Sequence, residues 1–107
     1  MRGDAGGLAR PEIVRLRCPQ AGVVLARQVA AFVERLREMN LYKPPGIAET
    51  IDWATSLAAL GVAEIDESVV DATLGAVLKY REDHQRVREG GIDDVVRHAI
   101  GRALAAT

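Results

Sequence analysis

Apolar residues recur at helical spacing through most of the chain. Leu25, Val29, Phe32, Val33 and Leu36 fall at i, i+4, i+7, i+8 and i+11, which lines one face of a helix from Val23 to about Met39. Asn40 tolerates the left-handed conformation and is placed to end it. Ile47, Ile51, Ala54, Leu57 and Leu60 mark a helix over about 47–60, with Gly61 as its terminator. Asp66 then stands as the N-cap of a long helix reaching about Glu89, with Val70, Leu74, Val77 and Leu78 on its apolar face. Gly90-Gly91 breaks that helix. The last segment, about 93–105, has the most regular period, in Ile92, Val95, Val96, Ala99, Ile100, Ala103 and Leu104. Ahead of all these, Pro11 opens a short helix over about 11–17 that stops before Pro19.

Strict alternation of apolar and polar residues is nowhere sustained, which argues against a sheet. The pattern predicts an all-α domain, a small bundle of four to five helices. Residues 1–9 are Gly-rich and read as a flexible N-terminal lead-in, leaving 10–107 as the helical domain.

A length of 107 residues suits one domain, and a hydrophobic fraction of 49% makes it globular rather than disordered. With aromatics at 4%, the core must be built mainly from Leu, Val, Ile and Ala. Burial contributes ~25 cal/mol per Å² against ~1.5 kcal/mol per ordered residue, so such a core is expected to be marginal alone. That suits a module which leans on a partner.

Charge sharpens this picture. Lys plus Arg is 14 and Asp plus Glu is 15, the wrong balance for a surface that grips nucleic acid. Arg15, Arg17, Arg27, Arg35 and Arg37 make the first half basic, but no short turn leads into a basic recognition helix. Residues 1–43 carry eight Lys/Arg and four acids, for +4, so residues 44–107 carry −5. A bipolar chain fits packing against a partner. No apolar run approaches the ~20 residues of a membrane span, and the first residues lack a secretion signal, so a cytoplasmic location is expected.

Candidate chemistry is sparse. There is no phosphate-binding loop and no dinucleotide fingerprint. His84 and His98 have no second ligand at metal-binding spacing, and the single cysteine, Cys18, has no base placed beside it by the sequence. Glu49 and Asp52 lie one turn apart, as do Glu64 and Glu67 if their connector is helical. Glu49 and Asp52 fall near a helix start, where acids meet the dipole favourably. Neither catalysis nor a metal or cofactor of its own is expected of this chain alone.

The most informative segment is Lys43-Pro44-Pro45-Gly46-Ile47-Ala48-Glu49-Thr50-Ile51-Asp52-Trp53-Ala54, a rigid proline loop leading into a helix with the only tryptophan. Trp53 either locks that helix as a core or rim aromatic, or faces a partner together with the loop. The segment resembles the C-terminal helical lid of MoxR-type AAA+ ATPases, in the subgroup similar to carbon-monoxide-dehydrogenase maturation ATPases, whose lids carry Lys-Pro-Pro-x-x-x-Glu-x-x-Asp-Trp. The resemblance extends over about 10–89, through Arg35-Leu36-Arg37, Leu57-Ala58-Ala59-Leu60-Gly61, Thr73-Leu74-Gly75 and Leu78-Lys79-Tyr80-Arg81-Glu82-Asp83.

This resemblance implies a lid whose ATP- and magnesium-binding core lies elsewhere in a parent protein. Such a lid closes over nucleotide, touches neighbouring ring subunits and couples hydrolysis to remodelling or maturation of a client. Many AAA+ lids place an arginine in the first turn of this helix, where this chain has Ala48 followed by Glu49. Alanine cannot make that phosphate contact and glutamate opposes it. Lys43, with the amides of Gly46 and Ile47, is then the nucleotide-facing candidate. Pro44, Pro45, Glu49, Asp52 and Trp53 are the candidates that face the ATPase core or another partner. The alternative is a standalone interaction module, a possible homo-oligomer joined through the stripe of residues 93–105.

Overall fold

The structure is a computed structural model and describes residues 10–105. The lead-in expected over residues 1–9 lies outside the described residues. Those described form six helices and no strand: α1 (Pro11–Arg17), α2 (Val23–Arg37), α3 (Ile47–Ala59), α4 (Glu67–Val77), α5 (Arg81–Gly90) and α6 (Ile92–Ala105). The all-α expectation holds.

Local chemistry sets most of the helix ends. Pro11 sits at the start of α1, where its missing N–H leaves nothing unsatisfied. Asn40 follows α2 with φ 58°, the left-handed geometry expected of it. Gly61, φ 75°, closes α3 in a Schellman turn, in which Val62 N–H donates to the Leu57 carbonyl and Gly61 N–H to that of Ala58, each at 3.0 Å. Asp66 caps α4 by accepting from Val69 N–H at 2.8 Å.

The expected long helix over 66–89 is instead two helices, α4 and α5. Leu78 takes an extended conformation (φ −120°, ψ 128°) and is buried, and Tyr80 is again extended before α5 begins. The apolar stripe of α4 ends at Leu78, and a straight helix would have carried Arg81, Glu82 and Gln85 across the same face. Turning the chain buries Leu78 and keeps those polar residues exposed. The Leu78 carbonyl left by the break accepts from His84 Nε2 at 2.6 Å.

Helix α2 is the centre of the bundle and packs on α1, α3 and α6. Phe32 of α2 meets Trp53 of α3 with ring centroids 5.1 Å apart and planes inclined at 44°, both side chains fully buried. The Trp53 indole N–H donates to Thr73 Oγ1 at 2.8 Å, tying α3 to α4. Gln28, buried on α2, accepts from Ile65 N–H at 2.7 Å and so anchors the α3–α4 connector. The stripe of α6 proposed above as a dimer seam is consumed by this core: Ile92, Val95, Val96, Ala99 and Ala103 are all buried within the chain. Only Leu104 of that helix remains an exposed large apolar side chain.

Candidate functional site

The prolines of the α2–α3 loop have no amide donors and restrict the residues before them, so the loop must be held by its neighbours. Asp83, on α5 and 2% exposed, supplies the main anchor. One of its oxygens accepts from Tyr42 N–H at 2.7 Å and the other from Lys43 N–H at 2.8 Å. Further along the loop, Arg37 donates to the Pro45 carbonyl at 3.0 Å. The rings of Tyr42 and Tyr80 meet at 5.0 Å with planes inclined at 48°. Four contacts from two helices and one interhelical turn therefore fix a segment with no regular structure of its own.

The start of α3 is equally constrained. Glu49 folds back to accept from Gly46 N–H at 3.0 Å, and Thr50 Oγ1 donates to the Gly46 carbonyl at 2.7 Å. The Gly46 amide holds the Glu49 carboxyl below the usual carboxylate range, helped by the amide of Glu49 itself and by the Lys79 ammonium at 3.5 Å.

These contacts bear on part of the nucleotide-facing set. The Gly46 amide is already bonded to a carboxylate, that of Glu49 at the helix start. A phosphate arriving there would meet a like charge and have to displace a satisfied bond. Lys43 keeps an exposed side chain while its amide is fixed by Asp83.

The partner-facing set divides in a similar way. Pro44 and Asp52 are exposed and Glu49 is half-buried. Pro45 and Trp53 are buried within the chain, so neither is available to a partner. Of the two roles open to Trp53, the structure takes the core one. Tyr42, not singled out in the sequence, is 80% exposed and is the largest apolar surface of the loop.

The remaining candidates are dispersed. Cys18 is buried at the end of α1, with its N–H donating to the Val14 carbonyl. Glu64 lies in the non-helical connector and Glu67 at the start of α4, so they do not share a helix face. His98 is exposed beside Arg102, at 3.2 Å. Among the described residues no three His, Cys, Asp or Glu side chains group as a metal site.

Compared with protein-family models, with curated proteins and with solved structures, the chain has no match.

Proposed function

We propose that this chain is the C-terminal lid of a MoxR-type AAA+ ATPase, a coupling module with no catalysis of its own. In this reading the parent protein supplies the ATP and magnesium site, and the lid closes over the nucleotide and touches neighbouring ring subunits. The client is a partner protein that is remodelled, with metalloenzyme maturation as the family analogy.

One observation supports the reading above the others. The separated sequence blocks behind the resemblance converge on a single loop and the helix that follows it. Arg37 holds Pro45, Asp83 holds Tyr42 and Lys43, Lys79 pairs with Glu49, and Thr73 receives the Trp53 indole N–H. Blocks far apart in sequence thus serve one rigid element, as a module that transmits a rotation requires. The free charge of Lys43 is what this element offers to a nucleotide, and Tyr42 and Pro44 are what it offers to a protein surface.

The test is hydrolysis and binding of magnesium-ATP by the isolated chain. The expected result is no turnover and an affinity no better than about millimolar, or about −4 kcal/mol. Turnover that follows the monodisperse chain through purification would overturn the reading.

A further inference from the structure

The core leaves open a groove of about 830 Å³ between α1, α2 and the end of α6. Its lining changes from one end to the other. Arg15 lies near the end of α1 and Arg27 near the start of α2, on either side of the short connection between these helices. Leu16 and Val23 stand with them, 77% and 44% exposed. Glu12 and Glu34 also line the groove, but on the parts of α1 and α2 remote from that connection. On α2 alone, Arg27 and Glu34 are separated by two helical turns, about 10 Å. Between them the floor is Ala30 and Ala31, small and almost fully buried. Both helices leave one connection and line one groove, so the arginines and the large apolar side chains share an end. The glutamates hold the other.

Arg102 also lines the groove and is neutralised by Glu38 through two contacts of 3.1 Å. The lining therefore carries two free charges of each sign and no net charge. Among the described residues Glu12, Arg15, Arg27 and Glu34 form no ion pair, whereas Arg35, Arg88, Arg97 and Arg102 all do. Such a groove does not select a partner by net charge, but it complements its own reverse. In a two-fold contact the same patch meets itself, residue i against j and j against i. With the axis across the groove, the basic end of each copy faces the acidic end of the other. An axis along the groove would set arginines against arginines and glutamates against glutamates.

The geometry points to a second copy of this chain as the occupant of the groove, in an antiparallel two-fold dimer. Arg27 of each copy meets Glu34 of the other, and Arg15 meets Glu12. The same reversal carries Leu16 and Val23 of each copy toward the alanine floor of the other, large side chains over small ones. This surface lies apart from the proline loop and does not rest on the ATPase reading.

The test is sedimentation of the whole chain over roughly 1–300 μM, a range that spans micromolar to sub-millimolar dissociation constants. The wild-type chain is expected to pass from monomer to dimer within it. Arg27→Glu and Glu34→Arg should each weaken the dimer about tenfold or more, because each sets like charges together at both ends of the contact. An equimolar mixture of the two variants should recover a dimer close to wild type in strength, since both of its charge pairs are then opposite in sign. Trp53 emission unchanged from wild type checks that the variants are folded. If either is not, Arg15→Glu and Glu12→Arg, at exposed positions, replace them with the same expected loss and recovery. A wild-type chain that stays monomeric throughout the range would overturn the proposal. So would folded variants that dimerise as wild type does, or a mixture no more dimeric than its components.

Discussion

Asp83 is the residue on which the proline loop depends most. Each of its oxygens accepts one backbone N–H of a loop that has no ladder or helix to satisfy those donors. Asp83→Ala would leave two amides in a part-buried site without partners, at an expected cost of about 2–3 kcal/mol in urea unfolding. Trp53, the only tryptophan, is fully buried and reports that transition directly. Trp53→Phe removes the indole bond to Thr73 and leaves a small void, and is expected to cost about 2 kcal/mol. Two glutamates give the fold an acid sensitivity. Hydrogen bonding to Arg102 is the main cause that holds Glu38 below the ordinary carboxylate value, and the Gly46 amide is the main cause for Glu49. A carboxyl with a lowered folded value stabilises the fold above its unfolded value, about 4.3, and that contribution is lost as pH falls through the folded value. The urea midpoint should therefore drop between about pH 5 and pH 3, and drop less in Glu49→Gln or Glu38→Gln. An identical drop in both variants would assign the acid sensitivity to other groups.

At the scale of elements, what was legible followed local chemistry. Pro11, Asn40, Gly61 and Asp66 each impose or favour a backbone geometry by themselves, and each does so where the sequence places it. The break between α4 and α5 was missed because no proline or glycine marks it. Its signal was the loss of apolar residues after Leu78 at the positions where a straight helix would need them. The turn is stabilised by the burial of Leu78 and by the His84 bond to its carbonyl, both of which depend on residues folding back. Amide exchange separates two helices from one. The amides of Lys79, Tyr80, Arg81 and Glu82 should exchange far faster than those of Leu74, Val77 and Leu78, since a continuous helix would protect all of them alike.

For the whole molecule, the periodic stripes were sufficient to predict an all-helical bundle but not which stripes would meet. Gln28 with Ile65, and Asp83 with Tyr42 and Lys43, join residues far apart in sequence through polar groups that no hydrophobic period reveals. The candidate site was partly legible for the same reason. The proline loop and Lys43 stood out by type, while the occupancy of the Gly46 amide by Glu49 and the burial of Pro45 and Trp53 depend on packing. The most regular stripe, on α6, proved to be core, and the face left open belongs to α1 and α2. A loop held by Asp83 and Arg37, and a groove left open between α1, α2 and the end of α6, suit the proposed lid, a module that works between partners. The coding sequence upstream of Met1, read in frame, tests that claim most directly. The lid reading predicts an open frame that carries Gly-x-x-x-x-Gly-Lys-Ser/Thr on its way to Met1. An in-frame stop codon immediately before Met1 would contradict it and leave a free-standing helical module.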